Sequence, residues 1–444
     1  MKTNWLRSLS IELREARVIS EQAKHGWLFD TPKAYELLGY VLREMERVDA
    51  ELRPQLPRYT KRFGVTIEEP FYKGTKKSKK KVLEWGIPVV GAYSRVYFEE
   101  MNLGSDAQVK DFLLTLGWKP TFWNYRKKDS VNGKKGEKTS PKLQDNKELC
   151  PNLDELDGAM AKSLVLYLKL KHRKGLLEGL LKVVREDGRI SGEADTIGTA
   201  THRMSHKKIV NIPGCDAFLG DKLRALFIAP EGYSILGVDS KSNQIRMLCH
   251  YMNDDDYTEA ALNGDIHSEN QRIAGLSTRA DAKTFIYGFL FGAGDEKIGR
   301  IVGGTSRHGK ALKDTFLTGL PKLRTLVNAV TSRVERVGYI HSLDGRRIYV
   351  SSTHKSLNYL LQGAEAVYMK YAQCFLWKWI KEEGLDAHFV ATVHDEFQLE
   401  VRDDQIDRVT ELALKAMLLA GEHLDIRVPM EGDAKVGKSW ADTH

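Results

Sequence analysis

The stretch Phe389–Val401 reads FVATVHDEFQLEV, with two strands of alternating apolar residues around the turn His394-Asp395-Glu396. An Asn-Gly pair would form so tight a turn with less strain. Two neighbouring acids at a half-buried hairpin repel each other unless a cation compensates their charge. The stretch therefore predicts an antiparallel hairpin that holds a metal ion. The alternative is a polar turn whose acids are simply solvated.

A second strand is predicted at residues 233–240, where YSILGVDS is apolar up to Asp239 and precedes an amphipathic helix pattern. A carboxylate at the end of a rigid strand is well placed to hold a hard cation. Taken alone, the segment favours the alternative, in which Asp239 caps the helix that follows. A metal site here therefore requires support from other segments.

A third segment, TRADAKTFIYGFLFG at residues 278–292, repeats chemically active residues every four positions: Arg279, Lys283, Tyr287 and Phe291. On a helix this spacing places two cations and two aromatic rings along one face. Such a face suits a nucleoside triphosphate, with phosphates at the cations and the base or sugar at the rings. An ordinary amphipathic helix is the alternative.

Outside these segments, hydrophobic periodicity predicts helices together with a few strands. Helices are expected within 8–53 with a break at Gly26, and near 105–117, 154–186, 240–251, 265–275, 279–291, 321–337 and 355–383, with further strand signals at 339–351. The predicted fold class is α+β. A chain of 444 residues is long enough for several lobes.

The formal net charge of +8 is concentrated in two tracts. Residues 54–98 contain ten basic and three acidic residues (net +7), and residues 119–142 contain eight and two (net +6), which leaves −5 for the remainder. The mean hydropathy of −0.40 and the absence of a long apolar stretch exclude a membrane-spanning helix. Scattered cysteines and an N-terminus without a secretory apolar core predict a reducing, cytoplasmic location.

In their order along the chain, the strand ending in Asp239, the RxxxKxxxYG helix and the VHDE turn resemble motifs A, B and C of the family A (DNA polymerase I type) DNA polymerases. The likeness is strongest to the replicative polymerases of short-tailed bacteriophages, and it extends with gaps from about residue 8 to Trp440 and His444. Supporting blocks are GDIH at 264–267, AKTFIYGFLFGAGDEKIG at 282–299, LDGRR at 343–347 and LLQ at 360–362.

The resemblance implies a right-hand polymerase with an antiparallel-sheet palm, helical fingers and a helical thumb. The predicted divisions are an N-terminal helical segment (1–53), a basic insertion at the thumb (54–98), the thumb (99–190), the palm (191–253 and 323–444) and the fingers (254–322).

It also implies that Asp239, the carbonyl of Ser240 and Asp395 hold two Mg²⁺ ions for in-line phosphoryl transfer to a primer 3′-OH. Glu396 is expected to be an auxiliary acid and not a direct ligand. The resemblance assigns the phosphates of the dNTP to Arg279, Lys283 and His267. It assigns the sugar and base to the ring of Tyr287.

Two positions depart from the family pattern. The family usually has Glu five residues after the motif A aspartate, hydrogen-bonded to a Tyr, and here the corresponding residues are Gln244 and Phe291. The family Glu excludes ribose, and Gln is nearly isosteric with it. We therefore expect the preference for deoxynucleotides to persist but to be weaker than in a Gln244→Glu variant. Tyr287 is associated in the family with poor discrimination against dideoxynucleotides.

The resemblance places the primer-template on Arg203, Gln362 and His394, although the usual TGR around Arg203 reads THR. In the basic insertion, Lys76, Lys77 and Lys79 are expected to contact DNA phosphates, or the insertion to bind a processivity factor. A solvated basic loop is the alternative.

The DxE triplet before the thumb, Asp49-Ala50-Glu51, lies within the predicted helical segment 8–53, so we do not expect it to be the acid pair of a 3′–5′ exonuclease domain. We therefore expect no intrinsic proofreading and a possible separate exonuclease chain. Two other classes of protein are alternatives: a polymerase-like DNA clamp with little catalysis, and a single-subunit RNA polymerase. A clamp of this kind would lack a metal-binding acid or a phosphate-binding cation, whereas this chain has Asp239, Asp395, Arg279 and Lys283. The VHDE turn and Gln244 argue against an RNA polymerase.

Overall fold

The computed structural model describes residues 5–67, 72–73, 80–81, 83–84, 87–88, 93–125, 138–145, 148–209, 211–393 and 395–443. The chain divides into two compact units, residues 1–35 with 179–444 and residues 36–178. The boundary predicted at residue 53 does not coincide with a unit boundary. Among the described residues, no helix has both the length and the apolar character needed to cross a membrane.

The helices of the described residues are α1 Trp5–His25, α2 Thr31–Leu52, α3 Asp106–Thr115, α4 Ala159–Leu181, α5 Gly220–Arg224, α6 Asn243–Met252, α7 Asp255–Leu262, α8 Ile266–Ala274, α9 Arg279–Leu290, α10 Asp295–Ile301, α11 Ser306–Gly319, α12 Pro321–Val337, α13 Ser356–Glu382 and α14 Ile406–His423. The predicted helices lie close to these bounds. The sequence patterns did not predict α5, α7, α10, α11 or α14.

The strands are β1 Trp27–Phe29, β2 Arg58–Ile67, β3 Tyr72–Lys73, β4 Lys80–Lys81, β5 Leu83–Glu84, β6 Ile87–Pro88, β7 Tyr93–Glu100, β8 Trp123–Tyr125, β9 Lys138–Pro141, β10 Gln144–Asp145, β11 Glu148–Leu149, β12 Arg189–Ile190, β13 Glu193–Asp195, β14 Ser205–Lys207, β15 Phe227–Ile228, β16 Tyr233–Ser240, β17 Tyr339–His341, β18 Arg347–Tyr349, β19 Ala387–Val393, β20 Glu396–Arg402 and β21 Gly432–Gly437. The helix–strand mixture, with antiparallel pairing throughout the described ladders, confirms the α+β class.

The first unit is organised around a four-stranded antiparallel sheet in the order β19-β20-β16-β21. The predicted hairpin forms β19 and β20, and the predicted strand β16 lies beside β20, with Leu236 opposite Leu399. Both side chains are fully buried, and burial of one such side chain contributes roughly 1.5–3 kcal/mol to stability. The sheet is therefore a rigid support for the residues at its edge.

Helix α13 passes through the core of the same unit. Leu361, Val367 and Leu376 have 0% exposure, and most of the helix is buried because apolar residues occupy all its sides. Helix α1 also packs into this unit, where Glu12 accepts from Lys370 Nζ at 2.6 Å and the side chain of Gln22 bonds to Thr392. These contacts explain why the chain up to residue 35 belongs with the sheet.

The break predicted at Gly26 is confirmed, and it contains a short strand that the sequence did not predict. Gly26 has φ +73°, a conformation that favours glycine. The next residues form β1, which pairs with β12 and β15. Trp27 is fully buried there, so tertiary pairing, and not local periodicity, determines this strand.

The second unit, residues 36–178, contains both basic tracts. In the first tract β2 and β7 pair antiparallel, with Arg58 opposite Glu100. In the second tract β8 and β9 pair antiparallel. Lys76, Lys77 and Lys79 lie outside the described residues, as does His394 of the first unit. Their predicted contacts with DNA stay predictions.

Candidate active site

The two predicted metal-binding acids, Asp239 and Asp395, meet at one edge of the sheet. Asp239 is the penultimate residue of β16 and lies opposite Glu396 of β20. The backbone N–H of Ser240 donates to the carbonyl of Asp395 at 3.0 Å. Strand pairing therefore brings together two acids that are far apart in the sequence, as the resemblance implies.

The environments of these acids differ from that of Glu396. Asp239 is exposed and Asp395 is half-buried, whereas Glu396 is 5% exposed. Glu396 accepts hydrogen bonds from the side chains of Gln398 and Trp440. Because protein donors hold Glu396, its geometry suits an auxiliary acid better than a metal ligand.

No group of three or more His, Cys, Asp or Glu side chains in the described part of the chain is arranged to hold a metal ion. A Mg²⁺ site does not require one, because this ion typically binds one or two carboxylates and completes its shell with water and substrate phosphates. The carboxylates of Asp239 and Asp395 and the carbonyl of Ser240 are hard oxygen donors of this kind. The donor set at the sheet edge fits Mg²⁺.

Tyr287 lies on α9 within the electrostatic influence of this edge. Burial raises the pKa of its phenol, and the negative charges of Asp395 and Asp239 raise it further. Its ring stacks on Phe291 with centroids 6.4 Å apart, and the ring of His267 lies 6.0 Å away. The predicted aromatic face is thus present beside the carboxylates. Phe291 follows the last residue of α9 and is 46% exposed.

The cations of the same helix lie one and two turns before Tyr287. Arg279 donates to both carboxylate oxygens of Asp265, at 2.7 and 3.0 Å, and holds the pKa of that carboxyl well below its usual range. Asp265 also caps α8 by accepting from the backbone N–H of His267. Lys283 is exposed. Sequence reasoning did not identify Asp265 as the partner of Arg279.

His267 is a neutral donor or acceptor at neutral pH. Burial lowers the pKa of its imidazole, and the charges of Arg279 and Lys283 lower it further. Two cations and one neutral imidazole therefore gather at the N-terminal part of α9, where an anion is also favoured by the helix dipole.

Gln244 does not pair with Phe291. Its buried amide Nε2 donates to Glu365 of α13, and Arg203 donates to the other oxygen of the same carboxylate. Glu365 was not identified from the sequence. Its signal is an acid within the otherwise apolar run LLQGAEAVYM, three residues after Gln362.

The predicted primer contacts Arg203 and Gln362 lie near each other through Thr201, whose hydroxyl donates to Gln362 Oε1 at 3.4 Å. Between Thr201 and Arg203, His202 has φ +62°. That left-handed conformation favours glycine, which explains why the family pattern TGR has Gly there. The carbonyl of His202 accepts from Lys370 Nζ at 3.1 Å, which helps to hold this conformation.

The family model for DNA polymerase family A matches residues 89–442. The chain is 31% identical to the DNA-directed DNA polymerase of Escherichia phage T7, covering 99% of this chain and 70% of that protein. It is 27% identical to that of Escherichia phage Phieco32, covering 98% of each.

Among solved structures, the POL domain of Pol1 from M. smegmatis in complex with DNA primer-template and dNTP matches with a TM-score of 0.74 at 21% identity, covering 97% of this chain and 70% of that one. This likeness shows the fold. The family match and the phage relatives establish that the chain belongs to DNA polymerase family A and is a phage-like DNA-directed DNA polymerase.

Proposed function

We propose that this polymerase extends a primer 3′-OH with dNTPs through two Mg²⁺ ions held by Asp239, Asp395 and the carbonyl of Ser240. The observation that carries the proposal is the hydrogen bond between the N–H of Ser240 and the carbonyl of Asp395, which joins the ends of the two acid-bearing segments. When bound, such ions lower the pKa of the attacking hydroxyl and neutralise the departing pyrophosphate.

The residues of α9 orient the nucleotide in this proposal. Lys283 and Arg279 bind the β and γ phosphates, assisted by His267, and the ring of Tyr287 packs on the sugar and base. The order of cations and rings along α9 supports this orientation of the nucleotide. The ring end of the helix lies near the metal-binding acids, because the charges of Asp395 and Asp239 raise the pKa of Tyr287. The α-phosphate then lies between the acids and the cations.

Primer-template DNA contacts Arg203 and Gln362 in this proposal, as well as His394 and the lysines of the basic insertion. Minor-groove acceptors are similar for all correct base pairs, so these contacts check shape and not sequence. The relative solved with primer-template and dNTP supports both partners. A processivity factor at 54–98 and a separate exonuclease stay predictions, and the phage relatives support a role in a bacterial cytoplasm.

Primer extension on a defined template tests the function and separates it from the alternative, a catalytically weak DNA clamp. We expect templated addition of dNTPs in Mg²⁺, at least about 10³-fold slower in excess EDTA and restored by added Mg²⁺, because metal charge stabilises the transition state by several kcal/mol. A clamp would bind the duplex without extending it. Undiminished extension in EDTA would contradict the metal assignment.

We expect the native chain to incorporate dideoxynucleotides efficiently and Tyr287→Phe to reject them. The proposed reason is that the Tyr287 hydroxyl replaces the hydrogen bond of the missing 3′-OH. A lost hydrogen bond in such a site costs about 1–3 kcal/mol, or roughly 5- to 150-fold in selectivity. Single-turnover kcat/KM for dNTP and ddNTP measures the ratio, with exposed Tyr349→Phe as the control. Strong rejection of dideoxynucleotides by the native chain would disprove the prediction.

A further inference from the structure

Three polar side chains from separate segments, two of them buried and the third half-buried, meet beside the catalytic acids. Glu365 of α13 accepts from Arg203, which precedes β14, through one oxygen and from Gln244 of α6 through the other. The exposure of the Glu365 side chain is 1% and that of Arg203 is 19%. We call these three residues the Glu365 cluster.

A buried carboxylate at this place is expensive for the fold. Burial raises the pKa of Glu365 to about 8 in spite of Arg203, and the negative charges of Asp395 and Asp239 add to the rise. Removing a charge from water costs several kcal/mol, and a buried ion pair often recovers little of that cost. An apolar residue would stabilise the core with less difficulty. A stabilising role therefore does not account for Glu365, and we look for its role in the positions of the Gln244 and Arg203 side chains.

The cluster also has two polar atoms that lack a partner within the protein. Gln244 Oε1 and Arg203 Nε are buried and have no hydrogen-bond partner among the described residues. Gln244 as a whole is 6% exposed. Buried polar atoms are almost always hydrogen-bonded, so an acceptor and a donor left over next to the catalytic acids point to a polar ligand.

We propose that Glu365 is a positioning residue that fixes the Gln244 amide against the sugar of the incoming nucleotide and so sets selectivity for deoxyribose. The inference rests on the proposed function, which places that sugar between the acids and Tyr287. Through its second oxygen Glu365 also orients Arg203, the proposed primer contact. One carboxylate thus aligns a nucleotide contact and a primer contact.

The pairing explains why residue 244 is Gln in this chain. A Glu at this position would place a second carboxyl group within hydrogen-bonding distance of Glu365, whose own pKa is already raised to about 8. The amide Nε2 of Gln244 instead donates to Glu365. The carboxylate that the resemblance places on α6 stands on the facing helix α13. The comparison with Gln244→Glu is therefore informative only when residue 365 is changed as well.

Exchange of the amide and the acid between residues 244 and 365 tests the proposal. The measurement is single-turnover incorporation of dNTP and rNTP opposite the same template base. We expect Glu365→Ala to lower the dNTP-to-rNTP selectivity at least tenfold, because the Gln244 amide is no longer held. We expect Gln244→Glu alone to lower kcat/KM for dNTP at least tenfold. The double variant Gln244→Glu/Glu365→Gln, which restores one acid facing one amide, should return both quantities to within threefold of the native values.

Glu382→Ala is the matched control, since Glu382 lies on the same helix with its side chain 55% exposed, and it should leave both quantities unchanged. Native selectivity in Glu365→Ala, or a double variant no better than Gln244→Glu alone, would overturn the proposal. If Glu365→Ala does not fold, the swap decides, because it keeps the volume and charge of the cluster. A native chain that extends no primer would instead refute the proposed function.

Discussion

Replacement of Asp395 by Asn is expected to lower the single-turnover rate of dNTP incorporation by at least about 10³-fold. The proposed metal ions lose half of their side-chain carboxylate charge, and a loss of about 4 kcal/mol in transition-state stabilisation corresponds to that factor. Asn has nearly the same shape as Asp. The contact between this turn and Ser240 uses the backbone carbonyl of residue 395, so the substitution leaves it intact.

The measurement is a rapid-quench time course on a preformed primer-template complex with saturating dNTP and Mg²⁺. Binding of primer-template should change little, because the proposed DNA contacts lie elsewhere. Asp404→Asn is the matched control, since Asp404 lies just beyond the opposite end of β20, pairs with Arg402 and is 67% exposed in its side chain. A variant at residue 395 that retains more than a tenth of the native rate would remove Asp395 from the proposed metal site.

Local sequence patterns predicted the elements that carry the site. Alternation around residues 394–396 gave the β19–β20 hairpin, the apolar run before Asp239 gave β16, and the four-residue cadence from Arg279 gave α9. These signals are local, because period-2 and period-3.6 patterns follow from which face of one element is buried. The prediction that these elements meet at one end of the sheet came from the family resemblance, because no local pattern encodes which strands pair.

What the sequence did not reveal depends on contacts between distant segments. Glu365 accepts a hydrogen bond from Arg203, 162 positions away. The sequence around either residue gives no sign of this pairing. Asp265 and Arg279 are closer in the chain, but their pairing requires the particular packing of α8 against α9. The left-handed backbone conformation of His202 was likewise not predictable from the sequence, because most non-glycine residues avoid that conformation. Tertiary structure, and not residue type, determines these features.

Lys283 is expected to be the strongest phosphate contact among the three predicted ones. The charge of Arg279 is shared with Asp265, and the lowered pKa of His267 keeps its imidazole neutral at pH 7. Lys283 is exposed on the turn between Arg279 and Tyr287. Most of the positive charge that this face presents to a triphosphate therefore belongs to Lys283.

Lys283→Met is accordingly expected to lower kcat/KM for dNTP by about 10²- to 10³-fold, the usual cost of removing one preorganised group that stabilises transition-state charge. Met preserves the aliphatic stem and a side chain suited to a helix, so α9 should persist. The effect should appear both in KM, through lost ground-state attraction, and in kcat, through charge developing on the pyrophosphate. Single-turnover incorporation at varied dNTP separates the two.

Lys310→Met serves as the matched control, because Lys310 is an exposed lysine on α11, outside the proposed nucleotide face. A further comparison uses Asp265→Asn, which frees Arg279 from its carboxylate partner. If the phosphates lie along this face, the freed guanidinium should recover part of the kcat/KM lost in Lys283→Met when the two changes are combined. A fall of less than fivefold in Lys283→Met, with no recovery in the combination, would mean that the triphosphate does not lie along α9.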